Sequence, residues 1–188
     1  MGGDEGAART EVASAAWGPT APTHRRYERR SRVGTGEAVW GPTEPTHRRY
    51  ERRSAVGTGE AAWERASRSV LRWGVKTRSG FSAPDDAEVQ PGRRLEVRFR
   101  IGPVVVREPV EVVAVVRTDD RVGFAYRTLP GHPVDGEESF IVSREGDTVW
   151  LTLRSLTRPS TTRAWALVFP VLRAAQVVVR WRYRRALR

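Results

Sequence analysis

The second half of the sequence is organised by a hydrophobic period of two. Between Leu95 and Ile101, apolar side chains alternate with charged ones, which is typical of a half-buried β-strand. Comparable segments follow at residues 104–117, 122–128, 138–144 and 148–156, separated by short stretches rich in Gly, Pro and Asp. Strands joined by such short turns pair antiparallel. The pattern therefore predicts five successive strands of one antiparallel sheet.

A tandem repeat precedes this region. Residues 17–39 and 40–62 agree at 20 of 23 positions and differ only at Ala21/Glu44, Arg32/Ala55 and Val39/Ala62. In the second copy, residues 47–56 predict a sixth strand, and Thr58 is a suitable N-cap for a helix that begins near Glu60.

The first copy lacks the sequence needed to continue this helix. Its equivalent segment runs into Gly41 and Pro42, and proline beyond the first turn removes a backbone hydrogen bond and breaks the helix. We therefore expect the second copy to fold. Residues 1–45 are expected to form a poorly ordered N-terminal extension that carries the spare copy, and residues 46–188 a single domain.

Two amphipathic helices are predicted, and the long C-terminal one is expected to cover the sheet. Apolar residues recur at helical spacing in each. The first stripe is Trp63, Ala66, Val70 and Trp73, ended by Gly74, and the second is Trp165, Val168, Leu172, Ala175, Val179 and Ala186. Residues 75–92, rich in Gly, Pro, Ser and Asp, are expected to form a connecting loop. A sheet with one apolar face needs such a cover. The predicted fold class is α+β, a helix-grip-like curved antiparallel sheet of about six strands around a long C-terminal helix. This element order is similar to that of the Bet v 1 and START-like lipid-binding proteins.

Composition and motifs exclude several classes of function. Cysteine is absent, so disulfides, thiolate metal sites and cysteine nucleophiles are excluded. The sequence has neither a GK[ST] phosphate loop nor an H-E-x-x-H motif, and we expect no cofactor and no metal. The start of the chain lacks the apolar core of a secretory signal, and residues 164–172 are too few to span a bilayer. The expected location is cytoplasmic.

The charge leaves one class of partner open. The formal net charge is +11, and Lys76 is the only lysine among 33 basic residues. Arginine-rich patches in the repeat copies and in the ending RWRYRRALR would suit nucleic acid or an anionic membrane. A solvated basic surface is the alternative interpretation.

Four stretches together resemble a known family. They are RRYERRSAVGTGEAAWERASRSVLRWGVKTRSGF, RVGFAYRTLPGHPVDGEESF, DTVWLTLRSLTRP and VVVRWRYRRALR. They resemble uncharacterised protein family 0548, a domain of unknown function, over about residues 46–188. Arg127 departs from that pattern, which has glycine before TLPGHP. The resemblance implies no established reaction.

The predicted function is binding of a small apolar or amphipathic molecule between the sheet and the long helix. Strand parity suggests five lining residues, namely Tyr126, Thr128, Trp150, Thr152 and Arg154. These side chains pointing inward would supply an aromatic lining and an anion anchor. The alternative is that the large side chains simply fill the interior.

A second hypothesis is an enzyme that acts on such a ligand. His132 lies in LPGHP, with Glu137 and Glu138 five and six residues later. A histidine beside a carboxylate is able to act as a general base. A loop histidine that holds a neighbouring backbone group would explain the same residues.

Overall fold

The computed structural model of the protein describes residues 8–17, 47–84, 87–159, 179, 181–183 and 185–187. Seven strands in this part of the chain form one antiparallel sheet of order β1-β7-β6-β5-β4-β3-β2. Their bounds are β1 Arg48–Thr58, β2 Phe81–Ser82, β3 Arg94–Ile101, β4 Val104–Arg117, β5 Arg121–Thr128, β6 Val134–Glu145 and β7 Thr148–Pro159. Because β1 pairs with β7, the second repeat copy supplies an edge strand of the sheet, next to the last strand of the sequence.

The first helix follows β1 as the sequence predicts. Helix α1 spans Gly59–Val70 with Thr58 as its N-cap in extended conformation. The predicted stripe is buried, with Ala66 and Val70 at most 1% exposed. The helix packs against β1, β5, β6 and β7, so the stripe joins the main core.

The two faces of the sheet pack against different parts of the chain. One face, here called the inner face, packs with α1 in a large apolar cluster that includes Val97, Phe124, Phe140 and Leu151. The opposite, outer face has a small cluster in which Val12 contacts Ala125 and Ile141 of β5 and β6 and Val116 of β4. Residues 8–17 therefore lie against the outer face. The domain boundary predicted at residue 46 stays a prediction. Residues 8–17, which precede that boundary, contact the sheet.

The segment between α1 and β3 differs from the predicted loop. It contains a short helix, α2 (Gly74–Thr77), and strand β2. Strand β2 brings the number of strands to seven, one more than expected. The expected helix stop at Gly74 is also wrong. The left-handed residue is Trp73 (φ 59°), and Gly74 begins α2. A Cβ on Gly74 would lie 2.1 Å from Ser69 Oγ, so glycine is required there for close approach.

The predicted long C-terminal helix is not shown. Residues 160–178, which carry Trp165, Val168, Leu172 and Ala175 of its stripe, lie outside the described residues. Residues 181–183 are helical and 185–187 form a turn. Val179, Tyr183, Ala186 and Leu187 are buried in the inner-face cluster, so the described end of the chain packs on the inner side of the sheet.

Candidate functional site

The only lysine of the chain is buried on the inner face. Lys76 lies on α2 and is 4% exposed. Its Nζ is 3.0 Å from Glu108 Oε2 of β4 and 3.6 Å from Glu138 Oε2 of β6. Tyr126 of β5 donates a hydrogen bond to the same oxygen of Glu138. Two carboxylates thus compensate one buried cation, which satisfies the requirement that a buried charge be paired.

Aromatic rings enclose this charge. Lys76 Nζ lies 4.4 Å from the ring centroid of Phe81, 5.2 Å from that of Tyr126 and 5.7 Å from that of Tyr183. These are cation–π distances. We call the set Lys76, Glu108, Tyr126, His132, Glu138 and Tyr183 the Lys76 cluster.

The backbone kink before α2 positions the lysine. Trp73 adopts the left-handed conformation, which is uncommon for a large residue and requires support from its surroundings. Its ring supplies that support by packing edge-on against Phe124 at 4.8 Å and beside Tyr126 at 5.5 Å. Sequence reasoning missed Lys76 because it assigned residues 75–92 to a loop. A single lysine in a chain that otherwise uses arginine was the available signal.

The cluster keeps its lysine charged and its tyrosines protonated. Burial alone would lower the pKa of Lys76, but Glu108, Tyr126, Tyr183 and Glu138 outweigh it and raise that pKa well above its usual value. Burial raises the pKa of Tyr126, and the charge of Glu138 raises it further. Burial likewise raises the pKa of Tyr183. One cation therefore faces two carboxylates and two neutral hydroxyl groups.

His132 is a neutral member with a free nitrogen. Its Nδ1 accepts a hydrogen bond from the backbone N–H of Val134 at 3.1 Å, so the neutral ring carries its proton on Nε2. Burial lowers the pKa of His132 to about 4, although Glu108 acts in the opposite direction. Nε2 is buried without a hydrogen-bond partner in the described structure and lies 3.8 Å from Glu108 Oε2.

The predicted ligand-binding residues are divided between the two faces. Tyr126 pairs with Glu138, and Glu138 pairs with Ser155. Because side chains alternate along a strand, Arg154 lies on the face opposite to Ser155 and Tyr126. Trp150 and Thr152 share the parity of Arg154 and also lie on the outer face. The inward orientation expected for these three residues is therefore wrong.

The remaining predicted residues also separate. Thr128 lies on the inner side, and its hydroxyl oxygen accepts a hydrogen bond from the backbone N–H of Gly136 at 2.9 Å. Glu138 belongs to the Lys76 cluster, whereas its neighbour Glu137 points to the outer face. The acid nearest His132 is Glu108, which sequence reasoning did not single out.

Glu137 and Arg154 hold the N-terminal segment (residues 8–17). Glu137 accepts hydrogen bonds from the backbone N–H groups of Arg9 and Thr10 and from the Thr10 hydroxyl. The guanidinium of Arg154 is 1% exposed. It donates to Glu51 and to four backbone carbonyls of the segment, those of Thr10, Glu11, Ser14 and Ala15. Two buried charges of opposite sign on adjacent strands therefore provide hydrogen-bond partners for backbone N–H and C=O groups of this segment.

No helix in the described ranges is long and apolar enough to cross a membrane. The same ranges contain no group of three His, Asp or Glu side chains arranged to hold a metal ion.

Sequence comparisons identify relatives of the chain. A family model described as "Domain of unknown function (DUF1990)" matches residues 41–186. A UPF0548 protein of Deinococcus radiodurans is 40% identical over 78 residues, which are 41% of this chain and 35% of that protein. The match thus spans about a third of the relative's length. The resemblance to uncharacterised protein family 0548 is confirmed. The N-terminal segment lies outside the family match.

Solved structures of similar arrangement share little sequence with this chain. Hypothetical protein jhp0584 from Helicobacter pylori has a TM-score of 0.47 at 11% identity, covering 80% of this chain and 99% of that one. Major latex-like protein 151 from Panax ginseng has a TM-score of 0.47 at 11% identity, covering 73% and 95%. Norcoclaurine synthase from Thalictrum flavum, in complex with dopamine and hydroxybenzaldehyde, has a TM-score of 0.44 at 10% identity, covering 81% and 95%.

Proposed function

We propose that this chain, which belongs to the DUF1990 family of domains of unknown function, binds a small amphipathic molecule on its inner sheet face. A hydroxyl group of the molecule would lie in the Lys76 cluster. The observation that carries the proposal is the buried Nε2 of His132, which has no hydrogen-bond partner in the described structure. A buried donor without a partner costs about 1–3 kcal/mol, and a bound hydroxyl group removes that cost.

The spacing of His132 and Glu108 suits a group that both accepts and donates a hydrogen bond. His132 Nε2 and Glu108 Oε2 are 3.8 Å apart, which is too far for a direct hydrogen bond. An oxygen to one side of the line that joins these two atoms, about 2.8 Å from each, would accept from Nε2–H and donate to the carboxylate. A hydroxyl group has this capacity, whereas an ether or a carbonyl oxygen only accepts.

The surroundings supply apolar contact for the rest of the molecule. Phe81 stacks on Phe99 at 4.7 Å, and Tyr183 meets Phe81 at 6.0 Å and Phe140 at 5.4 Å. Ligand sites of this kind are mostly aromatic and apolar with a few polar groups that fix orientation.

The alternative of an enzyme with His132 as general base has weaker support. The nitrogen that faces the cluster already carries the proton, because Nδ1 accepts from Val134. Glu137 is on the outer face with the N-terminal segment, and Glu138 is occupied by Tyr126. The role of arginine patches in binding nucleic acid or a membrane concerns mostly residues outside the described ranges and stays a prediction.

Paired ligands test the proposal. We expect 4-propylphenol to raise the thermal unfolding temperature in a saturable manner, since a ligand that binds the native state stabilises it. The methyl ether 4-propylanisole, which cannot donate, is expected to have a much smaller effect. His132→Asn keeps an acceptor for Val134 but removes Nε2, so it should abolish the difference between the two ligands. The outer-face control Arg127→Gln should preserve that difference. Equal shifts with both ligands, or no saturable shift in the wild-type protein, would contradict the proposal.

A further inference from the structure

A groove crosses the outer face beside the N-terminal segment. Its volume is about 450 Å³. The lining residues come from the N-terminal segment, β1, β5, β6 and β7, and are Ala15, Glu51, Arg52, Arg53, Arg121, Ser143, Glu145 and Thr152. Register places Arg121 directly opposite Ser143 and Arg53 directly opposite Thr152. Two arginines therefore lie beside two hydroxyl-bearing residues, Ser143 and Thr152, which are 6% and 8% exposed.

The charges of the groove favour an anion. Three arginines against two glutamates leave a positive excess among the lining residues. Both glutamates are engaged, since Glu51 accepts from Arg154 at 2.9 Å and Glu145 pairs with Arg53 at 2.7 Å. The side chain of Arg121 makes no hydrogen bond or ion pair within the described ranges and is only half-exposed. An anion in the groove would give this guanidinium a direct partner.

Neighbouring cations strengthen this preference. Burial lowers the pKa of Arg121, and the charges of Arg154 and Arg53 lower it further, while Asp120 and Glu145 oppose them. Arg53 is held over the ring of Trp150 at 4.1 Å, which fixes the direction of its guanidinium. Together with Arg121 it presents forked donors that match the oxygens of a phosphate group.

We propose that this outer-face groove is a binding site for a soluble phosphate monoester. Its phosphate would lie between Arg121 and Arg53, over the hydroxyls of Ser143 and Thr152. The remainder of the ligand would lie along the groove towards Ala15, because the groove is larger than a phosphate group alone. This site is separate from the inner-face site, since the sheet lies between them.

Phenyl phosphate is the probe for this proposal. Isothermal titration of the full chain at constant ionic strength should give saturable binding. Arg121→Gln should weaken binding ~10-fold or more, because a charge-assisted donor pair is lost. The matched control Arg127→Gln removes an arginine from the same strand and face that already pairs with Glu111, and it should change the affinity less than ~2-fold. Ser143→Ala, a small change beneath the same groove, should weaken binding without affecting folding.

Several results would overturn the proposal. Equal losses in Arg121→Gln and Arg127→Gln would mean diffuse attraction to a basic protein, and an isotherm without saturation would mean no site. Unchanged binding in both Arg121→Gln and Ser143→Ala would place the ligand elsewhere. Co-sedimentation with phosphatidic acid vesicles that Arg121→Gln abolishes would identify a lipid headgroup and refute a soluble ligand.

Discussion

Two buried cations on opposite faces of the sheet show why this chain keeps one lysine. Arg154 spreads its donors over Glu51 and four backbone carbonyls, which uses the planar fork of a guanidinium. Lys76 instead places a compact charge between Glu108, Glu138 and aromatic rings. An ammonium on a flexible stem fits such a space, whereas a larger planar group requires more room. The choice of residue at each position follows from the geometry of its partners.

The buried histidine gives a prediction for pH dependence. Its pKa is about 4 in the folded protein and near 6.5 when exposed, so the unfolded chain binds a proton first as the pH falls. Stability is therefore fully present above about pH 6.5 and decreases towards pH 4, by about 3 kcal/mol in total. His132→Asn should remove this part of the decrease, since Asn does not titrate but still accepts from Val134. Urea unfolding of both proteins between pH 4 and pH 8 measures it. Parallel stability curves for the two proteins would contradict the expected burial of a neutral histidine.

At the scale of elements, the N-terminal segment is a third layer that covers part of the outer face. Val12 packs against Val116, Ala125 and Ile141. Glu137 and Arg154 form hydrogen bonds with the backbone of the segment. Trp17 ends the segment under the guanidinium of Arg49, 3.9 Å from the ring centroid. A segment without helix or strand is thus fixed by apolar contact and by two buried charges.

Removing one hydroxyl tests how much this attachment contributes. Thr10→Val keeps the shape of the side chain but takes a buried hydrogen bond from the carboxylate of Glu137. We expect the free energy of unfolding to fall by about 2 kcal/mol, the usual contribution of a bond to a charged group. The control Thr118→Val removes an exposed bond to Asp120 and should change stability by less than about 0.5 kcal/mol. Equal effects in both variants, measured by urea unfolding, would show that the segment does not stabilise the sheet.

Periodicity predicts the elements of this chain better than their faces. Alternation identified the strands because half-buried strands must alternate, and Trp63, Ala66 and Val70 identified α1. Parity alone did not tell which side of β7 is the interior, since both Leu153 and Arg154 are buried. The outer face is covered by a segment of low periodicity, so Arg154 and Thr152 were placed on the wrong side. Lys76 was missed because the kink at Trp73 depends on tertiary contacts that no local pattern contains.

At the scale of the whole molecule, the structure explains why the second repeat copy provides β1. A Cβ on Gly57 would lie 2.6 Å from the Cβ of Ala62, so the strand and helix are in close contact at this point. The first copy has Val39 in place of Ala62, and a β-branched side chain would crowd that contact. Its helix would also meet Pro42. The second copy therefore satisfies both the packing and the backbone requirements of this part of the fold.

The first repeat copy lengthens the connection between the N-terminal segment and β1, although Trp17 and Arg49 at the two ends of this connection are in contact. The carbonyl of Trp17 accepts a hydrogen bond from Arg49 at 2.6 Å, yet 29 residues separate Trp17 from His47. Deleting residues 18–40 leaves the six residues GPTEPT between them. Because the entropic cost of closing a connection increases with the logarithm of its length, we expect the deletion to stabilise the protein by roughly 1.4 kcal/mol. Replacing residues 18–40 with 23 Gly and Ser residues keeps the length and should leave stability at the wild-type value. Loss of stability in both variants, measured by urea unfolding, would show instead that the first copy packs on the domain.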